Sequence, residues 1–219
     1  MSTLVRDVGH YIHRFDPPEP GRGAGMTCLL LHGTGGDEHD LVPLGRLLAP
    51  GAGLLAPRGD VLENGRPRFF RRLSEGVFDL DDLRRRTQTM AEWVTIACER
   101  YAIDPARLVA CGFSNGANIA ASVLLTRPGT FAAAILLSPM VPFEPASPPD
   151  LAGTPVFIGA GRSDPVVPLA QSERLATLLR GAHAEVTLHL GPGGHGITPG
   201  ELDAARAWLA ARVWSRVGS

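Results

Sequence analysis

One pentapeptide constrains this chain more than any other stretch: Gly112-Phe113-Ser114-Asn115-Gly116, which follows the apolar run Leu108-Val109-Ala110-Cys111 and precedes the small-residue stretch Ala117 to Leu125. That order predicts a buried strand, a tight turn and a helix. A serine on such a turn takes a strained backbone conformation that lifts its hydroxyl clear of the sheet edge, and the residues two before and two after it must have almost no side chain. Gly112 and Gly116 meet that demand. A helix that begins at Asn115 points free backbone N–H groups toward the serine, where an oxyanion would form during acyl transfer. Ser114 is therefore the candidate nucleophile, and the rest of the chain is read for its partners.

At 219 residues the sequence is long enough for one α/β domain with a full core and short for two, so residues 1–219 are read as a single domain. Hydrophobic residues at 44% and a formal net charge of -1 lack the basic excess that nucleic acid or an anionic membrane would require, which excludes both as partners. Cys28, Cys98 and Cys111 are odd in number, widely spaced and set in apolar runs, as expected of buried free thiols in a reducing compartment. Met1 to Phe15 has no apolar signal core and no stretch reaches membrane-spanning length, so a cytoplasmic location is expected.

Tyr11 to Phe15 alternates apolar and polar residues like an edge strand, and a linker from Gly21 to Gly25 follows. Thr27 to His32 is apolar almost throughout, as in a parallel strand covered on both faces. The pattern then predicts a helix from about Asp40 to Leu48 and a strand over Gly53–Pro57. Leu83, Thr87, Met90, Val94, Cys98 and Tyr101 recur at steps of three or four, the stripe of a long amphipathic helix. Beyond the elbow, strands are expected at Phe131–Leu137, Pro155–Gly159 and Glu185–Leu190, with helices at about Pro168–Arg180 and Gly200–Val213. Alternation of this kind predicts a doubly wound, mostly parallel sheet, and no connection is long enough for a separate cap domain.

In such sheets the reactive groups lie in loops beyond the carboxyl ends of the strands. His195 follows the last predicted strand among glycines, Gly193-Gly194-His195-Gly196. Asp164, in Gly161-Arg162-Ser163-Asp164-Pro165, follows the preceding one and could accept the Nδ1–H bond of His195. The chain order nucleophile, acid, histidine is that of the α/β-hydrolase fold. Gly33-Thr34-Gly35-Gly36 occupies the position from which that fold supplies a second oxyanion donor, and it lacks the Gly-Lys-Ser/Thr ending of a phosphate loop. The backbone N–H groups of Thr34 and Asn115 are therefore read as the oxyanion hole. Phe69, Phe70 and Phe78 are candidates to line the substrate pocket, or else they anchor a long loop to the core. Arg66, Arg68, Arg71 and Arg72 read as a solvated cluster, with an acidic substrate as the alternative. No His-Glu-x-x-His or paired Cys-x-x-Cys arrangement is present, so no metal is expected.

Leu31-His32-Gly33-Thr34-Gly35-Gly36-Asp37-Glu38, Gly112 to Asn118, Arg162 to Pro168 and the closing Gly194-His195 resemble the bacterial phospholipase/carboxylesterase family of α/β hydrolases. Pro67 to Arg72 and Glu75 to Asp79 resemble its carboxylesterase branch, often grouped with hydroquinone-resistance hydrolases. Many family members carry Gln and then Gly-Gly after the serine, where this chain has Asn115-Gly116-Ala117-Asn118. The resemblance implies a serine esterase acting on a small-molecule ester, with Ser114, Asp164 and His195 in the triad roles and no cofactor. It allows a homodimer. Two other readings stay open: a thioesterase or lactonase using the same triad, and a hydrolase-fold ligand-binding protein without catalysis.

Overall fold

In the computed structural model, which describes residues 3–5, 10–21 and 25–214, the chain opens with β1 (Thr3–Val5) and β2 (His13–Asp16). Most of the expected Gly21–Gly25 linker lies outside the described residues. Next come β3 (Thr27–Leu31), α1 (Val42–Leu48) and β4 (Gly53–Pro57). Four short strands follow: β5 (Val61–Glu63), β6 (Arg66–Arg68), β7 (Arg72–Ser74) and β8 (Val77–Phe78). The long helix α2 (Leu80–Tyr101) leads to β9 (Leu108–Phe113), α3 (Asn115–Thr126) and β10 (Ala133–Leu137). β11 (Pro155–Gly161), α4 (Leu169–Gly181), β12 (Glu185–Gly191) and α5 (Pro199–Leu209) complete the order, and α5 runs into a π-helical turn over Ala210–Trp214.

The main sheet has the order β1-β2-β4-β3-β9-β10-β11-β12, antiparallel at β1/β2 and β2/β4 and parallel from β4 to β12. Every residue of β3, β4, β10 and β11 is buried, which is why these strands read as unbroken apolar runs. Their side chains alternate between two cores. Leu29, Leu31, Leu55, Ala110 and Ile158 face a layer built from Met90 and Trp93 of α2, Ile119 of α3 and Leu175 of α4. Cys28, Leu30, Leu54, Cys111 and Phe157 face the opposite layer, with Leu48 of α1 and Trp208 and Leu209 of α5. The predicted stripe on α2 is the buried one from Leu83 to Cys98, and the Asp79 side chain caps the helix by accepting from Asp82 N–H at 3.0 Å.

The structure departs from the sequence expectation in several places, among them β10, which starts two residues later than expected, at Ala133. The strand expected at the sheet edge is β2, which starts two residues later and is flanked by β1 on its outer side. The last helix stops at Leu209 and loosens into the π turn. The segment after Pro57, expected as a loop, folds into two antiparallel hairpins, β5/β6 and β7/β8.

Candidate active site

Ser114 sits between β9 and α3 with φ 50 and ψ -113, a conformation that a non-glycine residue holds only when its surroundings enforce it. Its backbone supplies part of the enforcement: the N–H donates to Leu137 O at 2.9 Å and the carbonyl accepts from Asn118 N–H at 2.9 Å. The rest is close packing. A methyl on Gly112 would stand 2.5 Å from Gly116 O, and one on Gly116 would fall on the backbone carbonyl of Leu31 in β3. Only a residue without a side chain lets the elbow lie against the neighbouring strand.

His195, in the loop after β12, brings Nε2 to 3.0 Å from Ser114 Oγ, and its Nδ1 lies 2.8 Å from Asp164 Oδ2. The Asp164 carboxylate, 2% exposed, also accepts from the Val166 and Val167 N–H groups through Oδ1, at 2.8 and 2.9 Å. Burial alone would raise its pKa. The bonds from Val167, His195 and Val166 outweigh that and hold it below its ordinary value, so Asp164 is an anion at neutral pH. Its charge fixes the tautomer with the proton on Nδ1, leaving Nε2 free to accept from the serine. Beneath this loop Glu201 is buried, and burial, with Asp164 adding to it, pushes its carboxyl up from the ordinary value.

Thr34 follows β3, and Asn115 occupies the first turn of α3, where N–H groups have no intrahelical partner. The short hairpins pin both segments. Arg68 Nη1 donates to Thr34 Oγ1 at 2.9 Å, Arg66 Nη2 to Thr34 O at 3.2 Å, and Gly35 N–H to Pro67 O at 2.9 Å. Phe69 N–H donates to Asn115 Oδ1 at 2.8 Å. His32 ties β3 to the segment after β4, donating from Nδ1 to Gly33 O at 2.6 Å and accepting at Nε2 from Gly59 N–H at 2.9 Å. Burial pushes its pKa down, which keeps it neutral and suits that pair of bonds.

The cleft above Ser114 has a volume of about 360 Å³, counted with its opening to solvent. Its lining includes polar Thr34, Arg68, Arg72 and Glu75 and apolar Phe78, Met140, Val166 and Val167. Of the three phenylalanines read as pocket lining or as loop anchors, Phe78 lines this cleft. Phe69 and Phe70 are fully buried: Phe69 packs on His32 at 4.7 Å between ring centroids, and Phe70 meets Phe78 edge-on at 5.1 Å. They anchor the hairpins to the core. Arg68, placed by sequence in a solvated cluster, is instead 3% exposed, because its hydrogen bonds draw it inward over Thr34 and Phe70 O. Among the described residues, no three His, Cys, Asp or Glu side chains come together as metal ligands.

Comparison with known proteins adds to this geometry. The profile of the Phospholipase/Carboxylesterase family matches residues 74–213. MhqD of Bacillus subtilis (strain 168) is 51% identical over 187 residues, 85% of this chain and 94% of that protein. The crystal structure of a carboxylesterase from Bacillus cereus superposes with a TM-score of 0.87 at 45% identity, covering 90% of this chain and 92% of the other. A carboxylesterase from Mesorhizobium loti gives 0.87 at 34% identity, over 95% and 98% of the two chains.

Proposed function

This chain belongs to the phospholipase/carboxylesterase family of α/β hydrolases and is an esterase-type hydrolase, and we propose that it cleaves short-chain carboxylic esters through an acyl-serine intermediate on Ser114. The hydrogen-bonded chain Asp164–His195–Ser114 carries this reading. In the first step His195 Nε2 takes the hydroxyl proton while Ser114 Oγ attacks the ester carbonyl carbon. The carbonyl oxygen becomes an oxyanion between the N–H groups of Thr34 and Asn115, and loss of either donor would cost about 3–4 kcal/mol of transition-state stabilisation. His195 then passes its proton to the departing alkoxide as the C–O bond breaks. A water molecule, deprotonated by the same nitrogen, attacks the acyl-serine, and collapse of the second tetrahedral species releases the acid and returns the proton to Ser114.

The cleft argues for a short acyl chain. Each methylene removed from water is worth about 0.8 kcal/mol, and we read the four apolar side chains of the lining, Phe78, Met140, Val166 and Val167, as cover for only the first few. Among the described residues no helix is long and apolar enough to cross a membrane. Free, buried Cys28, Cys98 and Cys111 support placing the enzyme in the reducing cytoplasm.

The test pairs a fluorophosphonate probe with a nitrophenyl ester series from acetate to palmitate. The expected result is one phosphonyl adduct, mapped to Ser114, and a kcat/KM maximum within roughly two to six acyl carbons. Turnover with no adduct on Ser114 would overturn the acyl-serine route. A steady rise toward palmitate would overturn the short-chain preference alone.

A further inference from the structure

In the polar lining of the cleft two guanidiniums share one bonded carboxylate. Arg68 is buried to 3% exposure of its side chain and Arg72 to 28%, and both share a single carboxylate, Glu63. Glu63 Oε2 accepts from Arg68 Nη1 at 3.2 Å and Oε1 from Arg72 Nε at 2.8 Å. The other bonds of Arg68 go to neutral oxygens, Thr34 Oγ1 and Phe70 O. Among the described residues, Arg68 Nη2 and both Nη groups of Arg72 donate to no protein atom, and both side chains line the cleft that contains Ser114. Glu75, an acid lining the cleft, is exposed and, among the described residues, pairs with neither arginine.

Burying a guanidinium with half a counter-ion is costly, and burial does push the Arg68 pKa down despite Glu63. An anionic ligand removes that cost. A carboxylate matches the planar fork of a guanidinium and forms charge-assisted bonds with it, whereas a neutral ester leaves the open N–H groups to water.

Resting on the esterase reading of the same cleft, we propose that the substrate is a short ester that itself carries a carboxylate, held by Arg68 and Arg72 while the ester carbonyl lies at Ser114. The carboxylate takes no part in bond making. It raises the occupancy of the productive pose, so the advantage belongs in KM more than in kcat.

The experiment compares matched esters that differ in one charge. For the acyl side the pair is mono-nitrophenyl glutarate and nitrophenyl valerate; for the alcohol side it is the butyryl ester of lactate and that of lactamide. The anionic member of at least one pair should have a kcat/KM about ten- to a hundredfold higher. That advantage should collapse in Arg72→Gln, shrink in high salt and grow modestly in Glu75→Gln. Which pair responds assigns the arginines to the acyl or the alcohol side. Binding is read separately by calorimetry with glutarate on Ser114→Ala protein, where Arg72→Gln should abolish the heat signal while the thermal unfolding transition is retained. If neutral esters turn over, charged ones gain nothing and glutarate does not bind, the inference falls and the esterase reading stands. If glutarate binds through Arg72 but no ester is cleaved, the esterase reading falls and the anion site remains.

Discussion

The elbow that carries Ser114 and the pair of hairpins that roof the cleft are held by different physics. Around the elbow the contacts are backbone against backbone: Gly116 lies on Leu31 O, and every residue from Asn115 to Leu125 is buried. The hairpins are built from strands of two or three residues, several of them exposed, with Leu62 and Leu73 at 68% and 74% exposure. Buried Phe69 and Phe70 anchor them, and polar bonds do the remainder: Arg68 to Thr34, Arg72 to Glu63, Phe69 N–H to Asn115 and Arg71 N–H to Asp82. Close packing tolerates no added methyl group, whereas polar ties between short strands can be rewritten one at a time. The position of Ser114 is thus fixed by the rigid region, and one side of the cleft is bounded by the adaptable one.

The largest expected effect tests the rigid side. Ser114→Ala should lower turnover on the order of a millionfold, because nucleophile and base act as a unit. A variant that retained a few per cent of activity would shift the chemistry away from the elbow. Asp164→Asn should cost roughly ten-thousandfold by favouring the wrong His195 tautomer. Since the Asp164 carboxyl is held below its ordinary value, it keeps its charge through mildly acidic pH. Protonation of Asp164 should therefore add no second proton to the acid limb of kcat/KM at mildly acidic pH, and a two-proton limb would contradict this.

Two substitutions of similar size set the regions side by side. Gly116→Ala adds one methyl against an unyielding backbone carbonyl and should cost about 3 kcal/mol in urea unfolding. Leu73→Ser removes an exposed side chain from the hairpins and should stay within about 0.5 kcal/mol. Equal losses would erase the distinction. The smallest effect concerns Glu201, whose raised carboxyl pKa favours the native state below the ordinary carboxylate range and withdraws that advantage as pH rises through the raised value. Glu201→Gln should remove this decline, so the Tm of the variant should gain on the parent from acid toward neutral pH. A constant Tm difference would show that Glu201 does not titrate in that interval.

The same contrast explains what the sequence made legible. Glycines forced by backbone contact leave a pattern that local reading can find, and the chain order of Ser114, Asp164 and His195 follows from where the parallel strands end. The hairpins left no such trace. Strands of three residues are too short to show alternation, and an arginine run reads the same whether it faces water or a cleft. Arg68 is buried because Thr34 Oγ1 and Glu63, distant or unpatterned in sequence, receive its N–H groups. Phe69 and Phe70 point away from the cleft for a related reason, since Phe69 N–H is fixed by Asn115 from another element 46 residues on. The alternation over Tyr11–Phe15 suggests an edge strand, yet β1 lies outside β2, because alternation reports which faces of a strand are covered and is silent about which neighbours complete its ladder.

His195 rides on the loop after β12, the terminal strand of the sheet, paired with β11 alone and only partly covered along six of its seven residues. Its bond to Ser114 closes a span of 81 residues. Contacts of such long sequence separation are entropically expensive to form early, and β12 pairs with one neighbour where β3 and β9 each pair with two. Refolding from urea should then restore tryptophan fluorescence, with Trp93 in the inner core, before ester hydrolysis returns. On that expectation, the return of ester hydrolysis would report when β12 docks.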